Sequence, residues 1–366
     1  MANRSISQPD EAPATRREEE ARPSRLAARP AIRVALILAG LALIFWILRT
    51  VGWPAIASNL ERIGPFWFAG LVLLYGLSQF AFAVGWWLVT DPRLPPSALT
   101  GVFAAYLAGD SANYLTPVRV AGEPLKVHLT GRRTGTGPAV ASLTIHKHAD
   151  VFAQWLFVSV GIGFALWRFS LPVAVRLVAL LGAAALGVAL LLMTWALRRG
   201  TYAPVLRQLS RWKLLGRRLD RYRVPAEALD GRIRDFYVSH GWRFLLATAS
   251  CLAGWCGGWL ETYLLLRLLS ASPGWGMAFA IETLAVAINN MLLFVPGRLG
   301  SAEGVRVGLF VLLGLPAAQG AACSLVRRGR ELLWVLPGLF VIVKTQATRW
   351  RPAPEPPKLL GEESRP

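Results

Sequence analysis

Three signatures of soluble catalysis are missing from this chain: it has no G-x-x-x-x-G-K-[ST] loop to cradle a nucleotide, no H-E-x-x-H helix for a catalytic zinc and no G-x-S-x-G elbow for a nucleophilic serine. Their absence argues against ATP-driven work by this chain alone, zinc hydrolysis and serine-esterase chemistry, and no polar stretch is long enough for a catalytic domain. Cysteine is scarce. Cys251, Cys256 and Cys323 all lie in apolar runs, where an odd number suits small buried thiols and not disulfides or metal ligands. Acids are scarce too, 21 against 40 Lys and Arg, and the net charge of +19 is concentrated in a few patches. Such patches favour a membrane surface over nucleic acid as partner. No cofactor is called for.

Hydrophobic length is abundant. The chain is 54% hydrophobic and only 17% charged, and apolar runs near 20 residues recur along it. This composition predicts an all-α polytopic membrane protein. Six segments are long enough to be full spans: 33–51, 65–89, 139–167, 173–197, 242–269 and 317–345. Two more, 98–135 and 275–316, are apolar but interrupted by Pro, Gly and charge. Residues 1–30 and 346–366 mix Pro and charge without periodicity, which predicts disordered tails. The first apolar run is too long for a signal peptide and lacks its cleavage flank.

The positive-inside rule threads these segments. The connector 198–241 and its flank carry twelve Arg and Lys between Arg198 and Arg243 against Asp220, Glu227, Asp230 and Asp235, so it belongs in the cytoplasm. Arg22, Arg25, Arg29 and Arg33 place the N-terminus there as well. An even number of crossings must separate two cytoplasmic points, and four clear spans already supply it. Segment 98–135 is then re-entrant, and the same reasoning makes 275–316 re-entrant from the other side, leaving the C-terminus cytoplasmic. The expected fold is six full spans plus two re-entrant broken helices, arranged as an inverted repeat, with repeat 1 at about 31–170 and repeat 2 at about 171–345.

The two interruptions echo each other. They read Asn113-Tyr-Leu-Thr-Pro117-Val-Arg119-Val-Ala-Gly122-Glu123 and Asn290-Met-Leu-Leu-Phe-Val-Pro296-Gly-Arg298-Leu-Gly300-Ser-Ala-Glu303. Lys147 follows Glu123 by 24 residues, as Arg327 follows Glu303, and each has an acid close behind, Asp150 or Glu331. A chain that breaks at membrane depth must line a polar cavity or be buried in protein. Pro124 at a helix start and a capping Ser301 would turn half-helix N-termini toward the bilayer centre, where their partial positive charge attracts phosphate. Arg119 adds a bidentate donor fork, although it has a self-neutralising alternative in Glu123. Asp150 lies ~16 Å and Arg327 ~15 Å along their spans, depths at which a charge costs about 2.5–3.5 kcal/mol. The spacings Lys147–Asp150 and Arg327–Glu331 put each pair on one helix face and allow ion pairs. Arg328 and Arg330 deepen the positive field. Substrate binding is therefore expected from Asn113, Arg119, Gly122, Glu123, Lys126, Lys147, Asp150, Asn290, Pro296, Gly297, Gly300, Glu303, Arg327, Arg330 and Glu331. His146 and His148, two apart, face different ways and make a poor metal pair. Gly254 and Gly258 read as a helix-packing pair.

At these residues the chain resembles the lysylphosphatidylglycerol synthase transmembrane-region family, flippase-like integral membrane proteins of bacteria and archaea. The resemblance covers about 33–345. It rests on Asn113, Pro117, Arg119, Gly122 and Glu123, followed by Lys126 where Arg is usual; on Asp150; on Pro296-Gly297-x-Leu299-Gly300-x-x-Glu303; and on an Arg matching Arg327 or Arg328. Arg298 departs from the family, which has a small residue there, so Arg119 ranks above it. The resemblance implies a domain that moves aminoacylated or other anionic lipids between leaflets, here without the synthase domain that some relatives carry. The leading expectation is thus a non-enzymatic translocator of a phosphate-bearing or polyprenyl-phosphate lipid in the cell membrane. The alternatives are a membrane partner of a lipid-modifying enzyme and a transferase using Glu123, Asp150 or Glu303 as base.

Overall fold

The computed structural model describes residues 45, 49–91, 94–116, 122–200, 202–210, 223–269, 274–291 and 300–347. Both tails, most of segment 33–51, and Arg119, Pro296, Gly297 and Arg298 lie outside the described residues. Within them the chain is helical and contains no strand. The helices are α1 (Trp53–Val89), α2 (Leu99–Leu115), α3 (Gly122–Thr134), α4 (Thr136–Arg168), α5 (Val173–Arg199), α6 (Tyr202–Ser210), α7 (Arg223–Leu269), α8 (Trp275–Met291), α9 (Ser301–Leu312) and α10 (Ala317–Ala347).

Local chemistry sets the breaks. In α1 the helix kinks at Gly64, whose φ of 64° suits only glycine, and resumes with Pro65, which has no N–H to leave unpaired. The span expected from residue 65 begins at this kink. The long helix α7 bends at His240 (φ −132°, ψ 25°), which separates its basic first part from the apolar stretch beginning at 242. α2 stops at Thr116, extended as a residue before proline must be. α3 opens on Gly122 with Glu123 in its first turn. Gly300, at φ 77°, takes the N-cap of α9, so Ser301 is its first helical residue and does not act as the expected cap.

Three helices are long and apolar enough to cross a bilayer on length and composition: Trp53–Val89, Thr136–Arg168 and Val173–Leu197. The other two described segments read as full spans, within α7 and α10, are long but diluted by charge: Glu261 and Arg267 in one, Arg327, Arg328, Arg330 and Glu331 in the other. α5 is apolar on every face and leaves Leu177, Leu181, Leu191 and Leu192 exposed, as a lipid-facing helix does.

The packing has a regular plan. α1 and α7 form the most extensive pair; α4 packs on α7 and α8, as α10 packs on α1 and α2. Each broken segment folds on itself, α2 against α3 and α8 against α9, and the second piece packs on the long helix that follows. α2 and α8 are 17 residues each, α3 is 13 and α9 is 12. Exchanging α1 with α7, α2 with α8, α3 with α9 and α4 with α10 preserves this pattern.

Small residues allow the closest approaches. Gly254 lies against Phe82, where a Cβ would fall 2.7 Å from the ring, as its reading as a packing residue requires. At Gly122 a Cβ would fall 1.9 Å from the carbonyl oxygen of Gly109, so backbone meets backbone between α2 and α3. A carbonyl cannot swing aside as a side chain can. Gly122→Ala is expected to destabilise the protein by about 1–3 kcal/mol through overpacking. Thermal unfolding in detergent checks this, with Gly163→Ala as control because nothing lies within 4 Å of its added methyl.

Candidate functional site

The first break is tied by Asn113, in the last turn of α2. Its Oδ1 accepts from the Gly122 amide at 2.8 Å and its Nδ2 donates to Glu123 Oε1 at 3.2 Å. The same carboxylate oxygen meets Lys147 Nζ at 3.2 Å and Lys126 Nζ at 3.5 Å. Lys126 is buried, with its ammonium 4.6 Å from the centre of the Tyr106 ring. Asp150 Oδ1 accepts from the indole Nε1 of Trp255 at 3.1 Å, and Gln79 Nε2 donates to Asp110 at 2.9 Å. The expected Lys147–Asp150 pair is thus replaced: Lys147 reaches across to Glu123, and Asp150 is held by an indole from α7.

In the second half the centre is Glu282, on α8. Arg327 Nη1 donates to it at 2.9 Å and its Nη2 stands 2.9 Å from the second oxygen, Thr262 Oγ1 donates at 2.7 Å, and Arg306 Nη2 is 3.5 Å away. Arg327 Nη2 also donates to the Gly258 carbonyl and to Thr262 Oγ1, both at 2.7 Å, and lies 3.2 Å from Glu261. Gly258 is therefore part of the site and more than a packing residue, since its missing side chain leaves room for Glu282, 3.2 Å from where a Cβ would sit. Arg330 points elsewhere, forking onto Glu261 and stacking over Tyr75 at 3.7 Å. It joins α10 to α7 and α1.

Arg328 joins the two broken segments. Its Nε donates to Glu303 Oε1 at 2.8 Å and its Nη1 to the Tyr114 hydroxyl at 3.1 Å and to Glu331 at 3.3 Å. Glu331 accordingly pairs with Arg328, three residues back, and not with Arg327 as its four-residue spacing suggested. The echo between the breaks also becomes definite. Glu123 and Glu303 each sit in the first turn of the second piece, and each binds a cation of the following helix, Lys147 or Arg328. Arg328 is thus the counterpart of Lys147. These same acids face the positive ends of α3 and α9, so neither helix start is a bare anion site.

Between these groups lies a cavity of about 230 Å³ lined by Tyr114, Gln154, Trp255, Glu282, Asn289, Asn290, Arg306, Arg327, Arg328 and Glu331 together with Ala285, Val286 and Ala302. It draws on α2, α4, α7, α8, α9 and α10, and Trp255 connects it to the Asp150 cluster. The cavity and its border are charge-balanced rather than cationic: Arg306, Arg327, Arg328 and Arg330 stand against Glu261, Glu282, Glu303 and Glu331. Asn289 Oδ1, Asn290 Nδ2 and the Nε atoms of Arg306 and Arg327 are buried without a hydrogen-bond partner among the described residues. A buried polar atom left in that state costs about 1–3 kcal/mol, so the wall is suited to a polar ligand.

Of the residues expected to bind substrate, the structure brings Asn113, Gly122, Glu123, Lys126, Lys147 and Asp150 into one cluster and Asn290, Glu303, Arg327 and Glu331 around the cavity. Gly300 serves as the helix cap, and Arg330 does not line the cavity. Sequence reasoning missed Glu261, Glu282, Arg306, Tyr114, Gln154, Asn289 and Trp255. Glu261, Glu282 and Arg306 carried a usable signal, since each is a charged group inside an apolar run, where ionisable residues mark function. The others carried none.

Comparison with known proteins agrees with this architecture. Residues 31–338 match the model of the lysylphosphatidylglycerol synthase TM region. A relative named UPF0104 membrane protein, from Methanothermobacter thermautotrophicus, is 24% identical over 324 residues, covering 81% of this chain and 88% of its own. No solved structure matches the chain. A match over most of the length, carried on long apolar helices broken at two related polar phrases, makes this chain a membrane protein of the lysylphosphatidylglycerol synthase transmembrane-region family.

Proposed function

We propose that the protein is a lipid translocator that binds a phosphate-bearing headgroup in the cavity around Arg306, Arg327 and Arg328 while the acyl chains remain in lipid. The observation that carries this reading is a polar cavity, lined by three arginines and two asparagines, among the long helices of a membrane protein. Guanidinium forks suit phosphate geometry. A phosphate entering the cavity competes with Glu303 and Glu331 for Arg328, so binding exchanges one anion for another and does not require a bare positive pocket. Asn289, Asn290 and Tyr114 supply neutral polar contacts beside it.

The packing plan that survives exchange of the two halves supports an inverted repeat, with α2–α3 and α8–α9 as re-entrant pairs. In that arrangement the basic connector and both termini are cytoplasmic, in the cell membrane. The carboxylates that a transferase would use as base favour transport over catalysis: Glu123 and Glu303 are paired with cations, and Asp150 accepts an indole hydrogen bond.

The test is reconstitution. Full-length protein in liposomes containing fluorescent phosphatidylglycerol is expected to accelerate leaflet exchange, read by dithionite quenching, over protein-free vesicles. No acceleration for any labelled anionic lipid overturns the reading. Chemical conversion of the lipid assigns a transferase instead, and exchange only after adding a second protein assigns a scaffold.

A further inference from the structure

A second cavity, of about 500 Å³, opens between α4, α5 and α7 and shares no lining residue with the first. Its walls are Phe152, Leu197, Val238 and Phe244, with His148, Thr194, Tyr237 and Arg234 as the polar members. Three of these four polar groups satisfy one another. Thr194 Oγ1 donates to the Leu190 carbonyl at 2.8 Å, so toward His148 Nε2, 2.9 Å away, it acts as acceptor. Nε2 of the neutral ring is then the protonated nitrogen, and Nδ1 accepts from the Tyr237 hydroxyl at 2.7 Å. With that chain closed, the interior is effectively apolar.

Arg234 is different. It is exposed and forms no ion pair among the described residues. The cavity therefore has an oily interior and one uncompensated cation at its rim. Its level is marked by two exposed tryptophans, Trp195 on α5 and Trp242 on α7, each with an arginine over its ring: Arg199 at 4.9 Å and Arg243 at 5.8 Å. Exposed Trp with neighbouring Arg is the composition of a membrane–water boundary. The bend of α7 at His240 falls between Val238 and Trp242, where the basic connector gives way to apolar helix.

We propose that this cavity is a binding site for an anionic phospholipid of the leaflet on the side of the basic connector, its phosphate on Arg234 and one acyl chain between Phe152, Leu197, Val238 and Phe244. The site is separate from the translocation cavity. An anionic headgroup is favoured over a zwitterionic one because Arg234 forms no ion pair among the described residues and no acid lines the cavity.

Native mass spectrometry of the full chain, released from detergent with phosphatidylglycerol or phosphatidylcholine, tests this. Besides any lipid held in the first cavity, the wild type is expected to retain one phosphatidylglycerol that Arg234→Ala and Val238→Trp each lose at least fivefold, the second by filling the cavity mouth; phosphatidylcholine is held weakly at this site by all three. Both substituted positions are exposed, so unfolding temperatures stay at the wild-type value. Arg328→Ala, in the other cavity, leaves this lipid bound. Retention unchanged in either variant overturns the proposal, as does equal retention of the two lipids. A dimer that Val238→Trp dissociates irrespective of lipid overturns it too, assigning the cavity to a second copy of the chain.

Discussion

Arg328→Ala is expected to slow leaflet exchange of a phosphate-bearing lipid by ten- to hundredfold. Arg328 is the side chain that touches the first broken segment through Tyr114, at the end of α2, the second through Glu303, at the start of α9, and its own helix through Glu331. A charge-assisted hydrogen bond to a phosphate is worth about 1.5–3 kcal/mol, and each 1.4 kcal/mol is a factor of ten, which gives that range. Removing the cation also strands Glu303, which is buried. The double variant Arg328→Ala with Glu303→Gln separates the two effects, since it restores the charge balance without restoring the donor. Exchange that stays slow in the double variant, with unfolding returned toward wild type, assigns Arg328 to the ligand. Recovery of exchange assigns it to the fold alone and removes the main support for the translocation reading. Arg328→Lys is expected to fall between, because it keeps the charge and loses the fork.

Glu282→Gln is expected to have the largest effect on stability. One carboxylate serves Arg327, Arg306 and Thr262 deep between α7, α8, α9 and α10. Without its charge, Arg306 loses the ion pair it forms among the described residues, and Arg327 is left with Glu261, which Arg330 already holds in a fork. Breaking a buried pair by removing one partner typically costs 3–5 kcal/mol, an expected fall in melting temperature on the order of 10 °C. Glu331→Gln is the comparison. Glu331 is partly exposed and among the described residues pairs with Arg328 alone, so its loss is expected to cost no more than about 1 kcal/mol. If the two variants melt alike, the Glu282 network is not what holds the second half together. Arg306→Gln placed on Glu282→Gln should recover part of the loss, because it removes one of the stranded cations.

The all-helical class and the places where helices break were legible because long apolar runs and their interruptions are written in composition. The kinks at Gly64 and His240 fall within two residues of the span starts expected at 65 and 242. The interruptions fall where Pro and Gly do, and Asn113, Glu123, Lys126, Lys147 and Asp150 gather as one group. What could not be read was which charge pairs with which. Spacing along one helix suggested Lys147 with Asp150 and Arg327 with Glu331, but buried charges take the best partner in three dimensions: Lys147 and Arg327 find theirs on other helices, and Glu331 takes Arg328 on its own. Glu282 shows why the expected cationic pocket became a balanced one: it lies 45 residues from Arg327 in the chain, and only the packing of α8 against its neighbours brings them together. Tyr114, Gln154 and Asn289 are ordinary residues on helices, and nothing in their local sequence marks them as cavity wall.

Equal numbers of arginine and glutamate around the cavity bear on energetics. When such a site turns from one face of the membrane to the other without cargo, it drags no net charge through the electric field, and the voltage does no work on it. Carrying a singly charged phosphodiester, it moves one negative charge. A potential of 100 mV then acts on the loaded step with about 2.3 kcal/mol, enough to bias the distribution of that lipid by roughly 50-fold toward the positive side. Under the proposed translocation the voltage across the bilayer supplies the direction, and no fuel need be consumed by the chain.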